Sequence, residues 1–596
     1  ITIVLGNPPY AGHSSNASRD SIGNLNFIGN LLQDYFKVDG KPLGEKNPKW
    51  LQDDYVKFIR FAQWRIQESG TGIVAMITNH GFLDNPTFRG MRQQLMKTFD
   101  KIYLLDLHGN AKKKETTLDG SKDENVFDIQ QGVSICLMVK LEKATSPAKV
   151  FHADLFGLRE FKSEWLITHH RDLGSIKWNL LSPQSPFYLF APQDIELRAE
   201  FESYWKITEL LPVNSVGIVT ARDSLTIHWT RDEVWETVND FSSLSVDNAR
   251  LKYNLGKDAR DWKVAYAQQD LINSKLLKNK IEPVYYRPFD TRHTYYTGRS
   301  RGFICMPRPD VMNHLRTGNN ISLLICRQQS HIGFRHVLCS RNISECCAVS
   351  LQTREIDYVF PLYLYRSNDN HHQKKYKQTS LFNESLTIEP AVRLPNISPE
   401  FISELEKKFR LNFTLEQTGD LQNTFGPLDI FNYVYCILHS PAYRQRYAEF
   451  LKIDFPRLPI TSNLEFFSQL CKLGSQLVAL HLLEDSRLQQ GAPKLEQVQF
   501  HFDPGVSVAA GFPKYEDGRV LVNREQYFEG VPEEVWSFYI GGYQVCHKWL
   551  KDRRGRQLSA EDILHYKKIV VALGETIRLM EQIDEAIDEH GGWPIQ

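Results

Sequence analysis

The chain has 596 residues, room for roughly three to four domains of common size. An apolar fraction of 42% supplies large cores and excludes a disordered chain; no apolar run approaches the roughly 20 residues of a membrane span, and no signal peptide opens the sequence. The 71 basic and 71 acidic side chains cancel, which excludes a general basic coat, so any nucleic-acid surface is local.

The first predicted element is a strand, the apolar run Ile1 to Leu5, leading into Asn7-Pro8-Pro9-Tyr10. The prolines fix φ and stiffen this corner, which displays one amide and one aromatic ring. These residue types suit a particular chemistry. An exocyclic amino group is a poor nucleophile because its lone pair is delocalised. The Asn7 side-chain oxygen and the Pro8 carbonyl can accept its two hydrogens and pull the nitrogen toward tetrahedral geometry. Tyr10 offers a flat face for an extruded base. The same residues also read as a plain proline turn or a polyproline ligand. A strand at the very start is a bare apolar edge, which stable proteins avoid, so upstream sequence is expected.

After a polar loop from Gly12 to Asn30, the spacing of Tyr55, Phe58, Ile59, Ala62 and Ile66 predicts a helix over Asp53–Gln67. Gly70-Thr71-Gly72 closes it. Strand Ile73–Thr78, helix Thr87–Phe99, strand Ile102–Leu107, a hairpin-like insertion Gly109–Glu124 and strand Gly132–Lys140 follow. This alternation predicts a mostly parallel α/β sheet, covered on both faces, over residues 1–144. Residues 145–204 read as an irregular bridge rich in proline. From 205 to 400, β-like runs (Val213–Thr220, Val284–Tyr286, His293–Thr297, Ile321–Arg327 and Val337–Cys339) alternate with polar turns. In the polar loop Ser367–Gln378, His371-His372 has no ligand partners at sensible spacing, and no metal site is expected. Residues 401–596 read as largely helical, through Phe401–Phe409, Ile430–His439, Ala442–Lys452, Leu464–Leu483 and Glu561–Asp588. The apolar stripe of the last helix reads as core packing, and Val498–Glu525 holds a few strands. Nine cysteines without a Cys-x-x-Cys pair read as reduced core thiols of a cytoplasmic protein.

Charge is concentrated in residues 284–341. Arg287, Arg292, Arg299, Arg301, Arg308, Arg316, Arg327, Arg335 and Arg341 stand against Asp290 and Asp310, with no lysine, a net +7. Arginine forks bond phosphates and guanine edges bidentately, and Gln328 and Gln329 add amides able to read adenine. Tyr285, Tyr286, Phe289, Tyr295, Tyr296 and Phe303 are interleaved. The loop Thr297-Gly298-Arg299-Ser300-Arg301-Gly302 can follow a phosphate backbone. Candidate DNA contacts are Arg287, Arg292, Arg299, Arg301, Arg308, Arg327, Gln328 and Gln329; a solvated basic face with internal ion pairs is the alternative. The runs Lys112–Lys114 and Lys551–Arg556 read as solvated.

Asn7–Tyr10 resembles motif IV of amino-group methyltransferases. Ile73–Asn79 resembles the strand carrying motif VI of the adenine-N6 DNA enzymes, and Asn125–Val133 resembles motif VIII, whose aromatic, here Phe127, packs on the flipped adenine. Gly6–His13, Asp39–Asn47, Thr78–Arg92, Leu107–Lys114, Tyr286–Pro307, Phe425–Leu458 and Gly542–Asp552 resemble the C-terminal part of single-polypeptide Type ISP restriction–modification enzymes, a likeness that covers nearly the whole chain. The resemblance implies a partial Rossmann-like methyltransferase sheet (1–144), a bridge (145–204), a mixed α+β, β-rich and Arg-rich target recognition domain (205–400) and a helical C-terminal part (401–596). It implies methyl transfer from S-adenosyl-L-methionine to N6 of an adenine flipped from double-stranded DNA. Asn7 and Pro8, stiffened by Pro9, would orient the amine, and Tyr10 and Phe127 would sandwich the ring. In that family a nuclease and a helicase-like translocase come first. This chain departs in lacking the Gly-rich cofactor turn expected upstream of Asn7. The nearest candidate, Val508-Ala509-Ala510-Gly511-Phe512, lacks the second glycine and the acidic residue. A non-catalytic DNA specificity module is the rival reading; an RNA adenine or a protein glutamine is a further acceptor.

Overall fold

The computed structural model describes residues 1–9, 14, 16–44, 48–111, 115, 117, 121–142, 148–192, 194–316, 319–329, 333–352, 355–365, 393–501, 505 and 507–595. Tyr10, Lys112–Lys114 and the loop holding His371 and His372 lie outside the described residues. The chain forms two compact units, Ile1–Arg198 and Ala199–Gln596.

The first unit is built on a six-stranded sheet. Its strands are β1 (Thr2–Gly6), β2 (Gly72–Asn79), β3 (Lys101–Asp106), β4 (Val133–Lys140), β5 (Lys149–Asp154) and β6 (Asn179–Leu181), in spatial order β1-β2-β4-β3-β5-β6. The pairs β1–β2 and β3–β5 are parallel, whereas β4 runs against both its neighbours and β6 against β5. The expected mostly parallel sheet is therefore corrected to a mixed one. The difference lies in β4, which returns antiparallel between β2 and β3; a helical crossover is the usual route to a parallel return. Strands β1, β2, β3 and β5 still point the same way.

Helices α1 (Asp54–Ser69) and α2 (Arg89–Thr98) cover one face. Tyr55, Ile59 and Ile66 of α1 and Met91 and Leu95 of α2 pack with Val74, Met76, Ile102 and Met138. The helical spacing meets strand residues of alternate parity. A smaller core holds Leu105, Leu107, Val133 and Ala153, with Ile77, Ile135 and Trp165 packed against it. Trp165 comes from α3 (Arg159–Thr168). Of residues 145–204, expected as an irregular bridge, those up to Arg198 belong to this unit and include β5, β6 and α3. In β1, Ile3 and Leu5 are 66% and 81% exposed while Val4 packs on the core.

In the second unit, β7 (Ser215–Val216), β8 (Ile281–Arg287), β9 (Asp290–Tyr295), β10 (Ser322–Cys326), β11 (Val337–Ser340), β12 (Ile343–Ser344) and β13 (Asp357–Pro361) form two sheets, ordered β7-β13-β10-β11 and β9-β8-β12. The β-rich expectation for 205–400 missed helices α4 (Arg231–Ser243), α5 (Val246–Lys252) and α6 (Val264–Asn273). Their start signals are present: Thr230 and Glu233 form a capping box, and Ser245 caps α5. Further on, α7 (Pro427–His439) and α8 (Leu464–His481) precede a four-stranded antiparallel sheet within residues 499–529. The last helix, α9 (Ala560–Glu589), buries Tyr566, Ile569, Val570, Leu573 and Ile583, so its stripe is core. The expected helix Ala442–Lys452 is split into Pro441–Arg446 and Ala448–Leu451.

Candidate functional site

Because β1, β2, β3 and β5 are co-directional, their carboxyl ends share one edge of the sheet. Open α/β sheets bind ligands outside such an edge. Asn7 follows β1 there; it and Pro9 are exposed and Pro8 is buried. Asn79 ends β2 and its side chain accepts from the Gly81 amide at 2.7 Å, turning the chain sharply. The antiparallel β4 begins on this same edge, and Phe127 precedes it. Asn125 organises that segment. Its side-chain oxygen accepts from the Phe127 amide at 2.9 Å, and its nitrogen donates to the carbonyls of Gly109 (3.0 Å) and Gln131 (2.6 Å). Arg159 donates to the Phe127 carbonyl at 3.0 Å. Phe127 itself is half-buried against the smaller core. Beneath the segment, Lys162 and Asp123 form a fully buried pair at 2.7 Å, and Lys162 also donates to the carbonyls of Leu107 and Glu124.

A cluster of histidines and aspartates at this edge was not anticipated. His80 Nδ1 bonds Asp106 Oδ1 at 3.0 Å, and His108 Nε2 bonds Asp154 Oδ1 at 2.9 Å. His80 Nε2 lies 3.2 Å from Asn110 Nδ2. The His80 ring rests on Gly132, where a Cβ would stand 2.3 Å from it. Burial alone would raise the Asp106 pKa, but His80 and His108 outweigh it and hold the carboxyl well below the usual carboxylate range. Burial alone would lower His108; Asp106, with help from Asp154, raises it instead. Burial lowers His152. The signal in the sequence is Asp-Leu-His at the end of β3 and His-Ala-Asp at the end of β5, which only the strand register brings together.

In the second unit the arginines divide sharply. Arg287 is buried, 2.6 Å from Glu345 and stacked on Tyr286. Arg292 pairs with Asp290 at 2.9 Å and lies between Trp229 and Tyr286. Arg301, Arg316, Arg327 and Arg341 pair with Asp261, Glu282, Asp454 and Glu484. Gln328 and Gln329 donate to the carbonyls of Ile453 and Leu451, and Gln329 is buried. Among the described residues, Arg299, Arg308 and Arg335 have no carboxylate partner within ion-pair distance; Arg299 and Arg335 are exposed and Arg308 half-buried. The loop Thr297–Gly302 is held at its base by the buried Asp270, which accepts from the Thr297 hydroxyl (2.8 Å) and the Phe303 amide (2.9 Å). A Cβ on Gly302 would stand 2.1 Å from that carboxylate.

Among the described residues, neither the turn at Gly511 nor the Gly70-Thr71-Gly72 turn fits adenosylmethionine. Val508 and Ser507 make only isolated bridges, and Gly511 (φ +87) sits in a turn that leads to a short hairpin strand, Lys514–Glu516. Gly70-Thr71-Gly72 runs from helix into strand, the reverse of the strand–turn–helix order that seats a nucleotide. All nine cysteines are free, eight of them buried, and no helix among the described residues is long and apolar enough to cross a membrane.

The model of the Type ISP C-terminal specificity domain matches residues 209–582. No curated protein sequence matches the chain. Among solved structures, the chain is similar to the ATP-dependent Type ISP restriction–modification enzyme LlaBIII bound to DNA (TM-score 0.69, 19% identity, covering 100% of this chain and 37% of that one). It is similar to DrdV in a DNA complex (TM-score 0.68, 22% identity, 98% and 57%). It is also similar to a nuclease-deletion mutant of the Type ISP enzyme LlaGI with a DNA substrate mimic (TM-score 0.66, 19% identity, 98% and 52%). At these identities the likeness is one of fold, and this chain spans between about a third and just over half of those chains' lengths. On the match over residues 209–582, the chain belongs to the Type ISP C-terminal specificity domain family.

Proposed function

We propose that the second unit recognises a DNA sequence on behalf of a restriction–modification enzyme, without chemistry of its own. The observation that carries this is the anchored loop Thr297–Gly302, which presents Arg299 exposed and without a carboxylate. The structures it resembles were described with DNA or a DNA mimic. Arg299, Arg308 and Arg335, without a carboxylate partner, grip or read the duplex, and Arg301, held by Asp261 at 3.4 Å but 62% exposed, exchanges that carboxylate for a phosphate. Arg287, Arg292 and Arg327, with Gln328 and Gln329, hold the scaffold that positions them. The test is selection of duplexes from a random pool, followed by anisotropy at fixed salt. One sequence should bind about 10³-fold tighter than the pool or more; equal binding of all duplexes sinks the reading.

The first unit supports a second reading, the amine-acceptor half of an adenine-N6 DNA methyltransferase acting in the cytoplasm. Asn7 is exposed on the same sheet edge that Phe127 adjoins. Asn7 Oδ1 and the Pro8 carbonyl hold the amine, Pro9 keeps the corner stiff, and Tyr10 and Phe127 enclose the ring. Adenosylmethionine, the methyl donor, is seated by residues other than those described. A duplex carrying 2-aminopurine at the target position should brighten on binding as the base leaves the stack. Phe127→Ala should change that signal while leaving affinity nearly intact. No brightening at any adenine of the selected site defeats this reading and leaves the first untouched.

A further inference from the structure

Asp106 and Asp154 are the last residues of β3 and β5, and the parallel register sets them side by side. Two carboxylates so placed repel. His152 lies two residues before Asp154, on the same face of its strand. Its Nδ1 has no hydrogen-bond partner although the residue is only 2% exposed. One ligand atom from each of Asp106, His152 and Asp154 lies within 4.8 Å of the other two. His80 Nδ1 straddles the Asp106 carboxylate, 3.0 Å from Oδ1 and 3.3 Å from Oδ2, and His108 Nε2 engages Asp154 Oδ1. An ionised carboxylate has about four lone-pair sites, so each aspartate can still accept a further partner. His152 Nδ1 stands 3.6 Å from Asp154 Oδ2. That is long for a hydrogen bond but close to the edge, about 3.4 Å, of a tetrahedron built at zinc–nitrogen and zinc–oxygen distances.

We propose that Asp106, His152 and Asp154 bind a divalent transition-metal ion of the zinc class, with His80 and His108 orienting the two carboxylates. Imidazole with carboxylate is a donor set for such ions, and hydrogen-bonded ligands are the usual outer layer of their sites. Three protein ligands leave a fourth position, and Asp154 is exposed, so water can reach it. The ion would also offset the repulsion between the aspartates. Neither the DNA-reading nor the methyl-acceptor assignment is needed for this.

The full chain, stripped of metal, is titrated with Zn²⁺ by calorimetry and with Co²⁺ by visible absorption. One ion should bind per chain, with the intense cobalt bands of four-coordination. His152→Leu removes a nitrogen that makes no hydrogen bond, so the fold should persist by circular dichroism while the bands vanish. Asp154→Asn, at an exposed position, should act likewise, and His80→Phe should weaken binding about 10- to 100-fold. Absence of a stoichiometric ion in the wild-type chain overturns the proposal. So does binding that both His152→Leu and Asp154→Asn leave unchanged, which would place the metal elsewhere, for instance on thiols.

Discussion

The two units hold charge in opposite ways. In the second, the arginines of residues 284–341 draw carboxylates from distant parts of the chain, including Asp261, Asp454 and Glu484. Six of the nine are paired, so the nominal +7 is largely cancelled within the unit. At the carboxyl edge of the first unit the carboxylates gather, and histidines stand between them. The contrast teaches that a segment's net charge does not measure the field it offers a partner. What counts is which charges lack a counter-charge nearby, and how deeply the paired ones are buried.

Breaking the buried Arg287–Glu345 pair should have a large effect. Arg287→Ala strands Glu345 inside the second unit, and an uncompensated buried charge costs about 3–5 kcal/mol. Urea unfolding should show that loss. Arg287→Met combined with Glu345→Leu should recover most of it, since a buried pair is often replaceable by apolar groups. A loss under about 1 kcal/mol for Arg287→Ala would mean that the pair is solvated in solution, contrary to its burial.

Asp357 sharpens the comparison with a buried carboxyl that has no cation within ion-pair distance among the described residues. It is fully buried on β13, and neither carboxylate oxygen has a hydrogen-bond partner of good geometry, only the nearby amides of Asp357 and Val349. Burial, then the nearby Glu345, push its pKa up to about 8; the amides of Asp357 and Val349 and the Arg287 guanidinium offset only part of this. Unfolded, the group titrates near 3.8. Between these values the native state holds a proton that the unfolded state has lost. Stability therefore falls as pH rises through this window, by up to about 1.4 kcal/mol per pH unit, and is level outside it. Asp357→Asn removes that dependence, so its advantage over the wild type should grow from pH 5 to pH 8 in thermal unfolding. Parallel pH profiles would show that Asp357 is ionised in the fold.

Much of this was legible in the sequence where the signal is local. The strand and proline corner at Ile1–Pro9, helix α1 and the stripe of α9 follow from spacing and from the conformational limits of proline. What the sequence hid is long-range. The antiparallel direction of β4 is set by pairing with two strands distant in sequence, which residue type alone does not announce. The meeting of Asp106 with Asp154 depends on register across strands more than forty residues apart. Likewise nothing near Arg327 or Arg341 reveals that Asp454 and Glu484 will fold onto them. Charge counting over a window sees cations and misses the anions that return to it.

The smallest effect on folding should come from Arg299→Ala, and it is the most informative for binding. Arg299 is exposed, has no carboxylate partner and sits on a loop whose conformation is set by Asp270 and Thr297 rather than by its own side chain. Its removal should therefore change stability by no more than about 0.5 kcal/mol. If it neutralises one phosphate, the logarithm of the DNA binding constant should fall less steeply with the logarithm of salt, by about 0.9 in slope. If it reads a base instead, the slope should hold while discrimination at one position drops by about 1–3 kcal/mol. Arg341→Ala is the matched control, since Arg341 is also exposed but bonds Glu484 at 2.6 Å. It should leave both the slope and the discrimination where they were. Equal losses from the two variants would mean that pairing within the unit does not decide which arginines meet DNA.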